Sequence, residues 1–153
     1  MAPLDSKQYD LFGALQAQDD RTWPCASDTR RPFITGNAHE IVLGTTRLGD
    51  CLTQAGQRTP SVLARLLEQQ DWQAFERRYA GTGRAPDLPR QLMGQILYGV
   101  MQGVRSLREL ERLARLDLGC MWVTGDVAPD HANIGRFIVL HKNLLKAGVL
   151  RKR

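Results

Sequence analysis

From Pro60 to the C-terminus, helix start and stop signals follow one another closely along the chain. Between these signals, apolar residues recur at steps of three and four, which is the period of a helix with one buried face. No segment after residue 60 alternates apolar and polar residues as a half-buried strand does. The sequence therefore predicts an all-α, compact multi-helix domain whose short helices are joined by tight turns.

The clearest start signal is a capping box at Ser106 and Glu109, in which the serine hydroxyl accepts from the backbone amide three residues later. Asp117 is the predicted cap of a short helix that closes at Gly125, and Asp130 opens the last helix. The apolar stripe of that last helix consists of Ile134, Phe137, Ile138, His141, Leu144 and Leu145.

Three more helices are predicted upstream of this capping box. Ser61 and Asp71 are the expected caps of the first two, and Asp87 with Pro89 opens the third, because proline in a first turn forfeits no internal hydrogen bond. The apolar positions expected to be buried in the first of them are Val62, Leu63, Leu66 and Leu67.

Residues 1–59 form no convincing periodic pattern and are predicted to be an irregular, poorly ordered leader. Within it, residues 33–35 and 40–43 flank Gly36 and Asn37, which suggests a small hairpin. The predicted organisation is this leader, a helical domain over residues 60–150 and a basic tail over residues 151–153.

Composition excludes several functional classes. No run of apolar residues approaches a membrane span, and the N-terminus lacks the order of a secretion signal, so a cytoplasmic protein without membrane contact is expected. The three cysteines are widely spaced, without the close ligand pairs of a zinc module. No glycine-rich phosphate loop is present, and we expect no metal and no cofactor.

The positive charge is concentrated in the helical part. Residues 61–153 hold fifteen Lys or Arg against nine Asp or Glu, whereas residues 1–60 hold six against seven. A phosphate-binding surface requires this sign of charge. Four arginines follow steps of three and four residues in one predicted helix and the turn before it: Arg105, Arg108, Arg112 and Arg115.

Two interpretations of these arginines fit the sequence equally. They form a phosphate-facing stripe in a helix-turn-helix-like module, or they pair with Glu109, Glu111 and Asp117 on a solvated helix. The groove-reading helix of such a module would be either the short helix after Asp117 or the helix after Asp130.

The start of the last helix offers further candidates. Arg136 lies near the N-terminal end, where phosphate binding is favoured. The amide of Asn133 has the donor and acceptor that read an adenine edge, although capping the helix is the more common role. His131 is expected to cap or fill the turn, and His141, on the apolar face, is expected to be a packing histidine.

The order of motifs from Gly83 to Phe137 resembles a known family. The chain reads Gly83-Arg84-Ala85-Pro86, then Leu97-Tyr98-Gly99, then Gly103-Val104-Arg105-Ser106, and finally Pro129-Asp130-His131 before Arg136-Phe137. This order resembles the N-terminal, InsH-type domain of bacterial insertion-sequence DDE transposases. In that family the domain is thought to recognise the terminal inverted repeats of the element, while a downstream RNase H-like domain cuts and joins DNA.

The resemblance implies a site-binding role for Arg84, Arg105, Ser106, Arg108, His131, Asn133 and Arg136. The sequence departs from the family at Asn133, where Ser or Thr is usual. Residues 138–140 are Ile-Val-Leu where the family has a basic run, which suggests a packing or dimer surface.

DDE chemistry needs three carboxylates that hold two metal ions on a large mixed sheet. The available carboxylates here, Asp117, Asp126 and Asp130, lie in predicted caps and turns. We therefore expect a non-catalytic DNA-binding domain of a truncated or split transposase, not an enzyme, bound to inverted-repeat ends of double-stranded DNA in the cytoplasm, at the nucleoid. The alternatives are a helical module that forms homodimers or docks on a full-length transposase, and a decayed fragment without activity.

Overall fold

The computed structural model describes residues 33–79 and 85–146. The chain there is mostly helical, which confirms the predicted all-α class. A 3₁₀ turn at Ala38–Glu40 precedes a two-stranded hairpin, β1 (Val42–Leu43) and β2 (Thr46–Arg47). The helices are α1 (Leu48–Gln54), α2 (Thr59–Glu68), α3 (Gln73–Glu76), α4 (Pro89–Met101), α5 (Leu107–Leu116), α6 (Leu118–Thr124), α7 (His131–Leu140) and α8 (Lys142–Lys146). No helix among these residues is long and apolar enough to cross a membrane.

Helix α4 is the centre of the fold. All residues from 91 to 96 are buried, and helices α2, α5, α6 and α7 pack around it. Gly94 permits a close approach of α2 and α6, because a Cβ atom there would lie 2.6 Å from Val123 Cγ1 and 2.9 Å from Leu67 Cδ1. The helices after α4 are thereby fixed against a rigid core, and α7 receives a defined position.

The predicted caps of α5, α6 and α7 are present. Ser106 Oγ accepts from the amide of Glu109 at 3.2 Å, and Asp117 Oδ1 accepts from the amide of Cys120 at 2.8 Å. Asp130 Oδ1 accepts from the amide of Asn133 at 2.7 Å. These short-range signals could be identified because donor and acceptor are only three residues apart.

Helix α2 starts earlier than its sequence pattern indicates. It begins at Thr59, Pro60 occupies the first turn, and Ser61 is not the cap. Only Leu63 and Leu67 of the four predicted core positions are buried, whereas Val62 and Leu66 are 54% and 51% exposed. Helix α2 packs on α4 and α6 with one side only, and this side is too narrow to bury all four apolar positions.

The last helix is divided at His141. α7 ends at Leu140 and α8 starts at Lys142, whereas the sequence pattern predicts a single helix. Arg78 Nη1 donates to the carbonyl oxygen of Leu140 at 2.9 Å, so a side chain that follows α3 satisfies a carbonyl at the end of α7.

The hairpin before residue 60 differs from the predicted one. Val42 pairs with Arg47 and Leu43 with Thr46, around Gly44 with φ of 64°. The predicted pairing of residues 33–35 with 40–43 is wrong, since Ile34 bridges to Asp87 instead. The 3₁₀ turn and α1 pack on α6, so part of the segment predicted to be an irregular leader contacts the helical domain.

Candidate nucleic-acid interface

Helices α5 and α7 lie side by side in opposite directions. Near one end, Glu111 Oε2 accepts from the backbone amide of His131 at 3.0 Å and lies 2.7 Å from Nδ1 of the same histidine. One turn along, a Cβ atom on Gly135 would lie 3.3 Å from Leu107 Cδ1. These contacts place the exposed sides of the two helices on one continuous surface, which we call the α5–α7 face.

The arginines of α5 do not all have the same environment. Arg115 pairs with Glu111, with 2.6 Å between Nη2 and Oε1. Arg108 and Arg112 are exposed, and neither has an ion pair within the described ranges. The interpretation as a solvated, paired helix therefore holds for Arg115, and the phosphate-facing role of Arg108 and Arg112 stays a prediction. Arg105, also exposed, lies in the preceding turn, where its backbone amide donates to Glu109 Oε2 at 3.3 Å.

Glu111 fixes the junction of the two helices electrostatically. Its hydrogen bonds from His131, side chain and backbone, lower the pKa of the carboxyl below its ordinary value, and Arg115 acts in the same direction. The Glu111 carboxylate therefore stays charged and remains bonded to His131 and Arg115. His131 is consequently a link between α5 and α7, and its Nδ1 is not directed at solvent.

Asn133 is not the helix cap, which is one of its two predicted roles, and its side chain contacts two neighbouring side chains. Asp130 is the cap, while Asn133 Nδ2 donates to Asp87 Oδ2 at 3.4 Å and Oδ1 accepts from Arg136 Nη1 at 3.1 Å. The donor and acceptor that would read an adenine edge are therefore engaged within the protein. Arg136 itself is exposed, with its guanidinium anchored at one nitrogen.

A cleft of about 850 Å³ runs along α7 on the side away from α5. Its polar lining comes from three segments: Arg78 and Tyr79 after α3, Asp87 before α4, and Asp130, Asn133 and Arg136 at the start of α7 and along it. Both signs of charge line this cleft, so it is less suited to a polyanion than the α5–α7 face.

His141 is a buried packing histidine at the end of α7. Its ring contacts the rings of Phe75 and Phe137 at centroid distances of 4.9 and 4.7 Å, and Nε2 lies 3.3 Å from the Tyr79 hydroxyl. Burial, with the nearby charge of Arg78, lowers the pKa of His141 to about 4. Burial raises the pKa of Tyr79, so both groups are neutral at physiological pH.

The remaining site predictions have separate outcomes. Arg84 lies outside the described residues. Ser106 is occupied as a helix cap. The suggested dimer surface at residues 138–140 is divided, because Ile138 is buried in the core whereas Val139 is 40% exposed.

Two residues that position α7 were missed at the level of sequence. Arg78 contacts Leu140 across 62 residues, and Glu111 contacts His131 across 20. A pattern of neighbouring residues contains no signal for either contact.

The carboxylates around α6 and α7 serve the fold. Asp117 and Asp130 cap helices, and Asp126 lies exposed in a turn with φ of 66°. In the part of the chain that the structure describes, no group of three or more His, Cys, Asp or Glu is placed to hold a metal ion.

Comparison with known families gives a match to the model of the family described as Transposase domain (DUF772), over residues 52–140, more than half of the chain. No curated protein and no solved structure matches. The matched residues include the whole α5–α7 face.

Proposed function

The chain belongs to the transposase-domain family DUF772, and on that premise we propose that it binds double-stranded DNA through the α5–α7 face. The proposed target is the terminal inverted repeats of an insertion element, and the proposed role of this transposase domain is site binding without strand transfer, at the nucleoid.

The observation that carries this proposal is the pair of exposed arginines without ion-pair partners among the described residues, Arg108 and Arg112. They lie one turn apart on α5, so both guanidinium groups extend from the same side of the helix. Unpaired arginines retain their full charge for phosphates, which supply most of the affinity of proteins for DNA.

The second element of the proposal is the orientation of α7. We propose that α7 enters the major groove, while the α5 arginines contact the adjacent phosphate backbone. The core residues Ile134 and Phe137 hold one side of α7, and the opposite side is free of described helices at Ala132 and Arg136. A groove-reading helix needs such a rigid inner side and an open outer side.

A role in binding without catalysis is supported by the use of the carboxylates. Asp117 and Asp130 already accept hydrogen bonds from helix amides, which is what stabilises the starts of α6 and α7. Both carboxylates therefore already have a structural role at a helix start.

The test is a fluorescence-anisotropy titration across a salt series with two duplexes, one carrying the inverted repeats that flank the gene and the other a scrambled sequence. The double variant Arg108→Ala/Arg112→Ala is expected to bind at least about tenfold more weakly, with a log–log salt slope smaller by about two. The matched control is Arg58→Ala/Arg65→Ala, which removes two exposed arginines from α2 and its start.

Three results would count against the proposal: no binding to either duplex, equal affinity for both, or the same loss in both double variants. The first rejects DNA binding, the second rejects recognition of the repeats, and the third rejects the α5–α7 face as the contact surface.

A further inference from the structure

One strip of α7 is exposed to solvent. Residues 132, 136 and 139 are separated by four and three positions and therefore share a side of the helix. All three are exposed, whereas Ile134, Phe137 and Ile138 occupy the inner side. The strip consists of one arginine between two apolar side chains, Ala132 and Val139, the latter 40% exposed at the rim of the cleft.

The polar side chains at the start of α7 are already committed. His131 is held by Glu111, and the amide of Asn133 is held by Asp87 and Arg136. Base reading through His131 Nδ1, or through the amide contacts that Asn133 makes with Asp87 and Arg136, would require breaking contacts that hold α7 in place. What the outer strip offers to a ligand in its present arrangement is apolar surface around one guanidinium.

The charge around the strip identifies the kind of occupant. Arg108 and Arg112 lie on the neighbouring helix and Arg136 within the strip itself, so an occupant must tolerate three positive charges. Two small apolar side chains separated by an arginine offer far too little area for a stable protein–protein contact. A nucleic-acid duplex meets both conditions, because its backbone is anionic and its major groove admits an α-helix.

The apolar group that the major groove presents is the C5-methyl of thymine. We infer that Ala132 and Val139 contact thymine methyl groups, so the chain prefers thymine at two positions of its site. Residues 132 and 139 are seven positions apart, about 10 Å along a helix, and the two thymines are therefore separated by several base steps. This inference rests on the proposed binding of DNA through the α5–α7 face and adds the chemical feature that is read.

The experiment begins with selection of preferred duplexes from a randomised pool by the full chain, so the bound sequence need not be specified in advance. Each thymine of the selected duplex is then replaced by deoxyuridine, which removes only the methyl group. Affinity is measured for the natural chain, for Val139→Ala and for Val62→Ala. The last is a matched control, because Val62 is 54% exposed on α2, away from α7.

Deoxyuridine at a contacted position is expected to weaken binding by the natural chain about fourfold, the factor that corresponds to burying one methyl group. Val139→Ala should lose the distinction between thymine and deoxyuridine at one position, while Val62→Ala should keep it. Melting of the variants by circular dichroism checks that both remain folded.

The inference and the proposed function fail in different ways. Tight, salt-dependent binding that is indifferent to every deoxyuridine substitution would overturn the thymine contacts and leave DNA binding intact. A thymine preference that persists in Val139→Ala would overturn the assignment to this residue. Failure to select any duplex would overturn DNA binding itself and the inference with it.

Discussion

His141 is held away from water by aromatic rings. Phe75, Tyr79 and Phe137 surround it, and its Nδ1 has no hydrogen-bond partner within the described residues. A charged imidazolium would lose hydration there without compensation, which is why burial lowers its pKa to about 4.

This environment predicts an acid-sensitive fold. Above pH 6.5 the imidazole is neutral in both the folded and the unfolded chain. As pH falls from 6.5 to 4, only the unfolded chain takes up the proton, so the free energy of unfolding should decrease. With about 1.4 kcal/mol for each pKa unit, the decrease is at most about 3 kcal/mol. Urea unfolding at a series of pH values measures it.

His141→Phe keeps an aromatic ring among Phe75 and Phe137 but has no proton to take up. Its free energy of unfolding should be nearly flat between pH 6.5 and 4.5, which isolates the histidine. The comparison stops at pH 4.5 because of Glu111, whose pKa is lowered in the folded chain. Below that pH the contribution of Glu111 to the free energy of unfolding is lost as well, and it would add to the effect of His141. Parallel pH profiles for the natural chain and the variant would contradict this assignment.

At the same scale, the sequence identifies residues whose partners are near in the chain. Ser106, Asp117 and Asp130 bond to amides three positions away, and their roles as caps followed from type and spacing. The role of Asn133 could not be identified in this way, because Asp87 is 46 residues distant and only the folded chain brings the two together.

At the scale of elements, helix starts can be tested with two serines that the sequence pattern predicts to cap helices. Ser106 accepts from the amide of Glu109, whereas Ser61 lies inside α2, after Pro60. Ser106→Ala should lower the free energy of unfolding by about 1 kcal/mol, the usual cost of losing a cap. Ser61→Ala should change it by no more than about 0.5 kcal/mol, as for an ordinary surface position.

Thermal or urea unfolding of the two variants measures the difference. DNA affinity should fall only in the Ser106 variant, because Ser106 caps α5. Equal effects of the two substitutions would show that Ser61 has a capping role after all. Each serine precedes an apolar-periodic segment, but only Ser106 is followed by a glutamate three residues later. What decides between them is Pro60, which takes the first turn of α2 and moves the start upstream.

At the scale of the molecule, the sequence predicts the helical class and most helix positions but not the extent of the folded unit. Residues 1–59 have no helical or strand periodicity long enough to identify, because their elements are only two to seven residues long where described. Among the described elements, the 3₁₀ turn and α1 are held in place by contacts with α6. The ring of His39 meets that of Trp122 at a centroid distance of 5.0 Å, and Gly49 lies under the same indole.

Leu48 is the residue that decides whether this segment belongs to the fold. It is fully buried at the start of α1, while Leu43, in the hairpin, is 38% exposed. If the segment is an integral part of the core, Leu48→Ala should lower the free energy of unfolding by about 2–5 kcal/mol, as for other buried leucines. Leu43→Ala, the same chemical change at an exposed position, should cost less than about 1 kcal/mol.

Urea unfolding followed by the helical circular-dichroism signal compares the two variants in the full chain. If residues 1–59 were instead an independent leader, the helical signal would melt at the same urea concentration in both variants. If Leu48→Ala lowers the urea midpoint of the helical signal and Leu43→Ala does not, the cooperative unit includes residue 48. Its start then lies upstream of both the predicted boundary and the family match, which begins at residue 52.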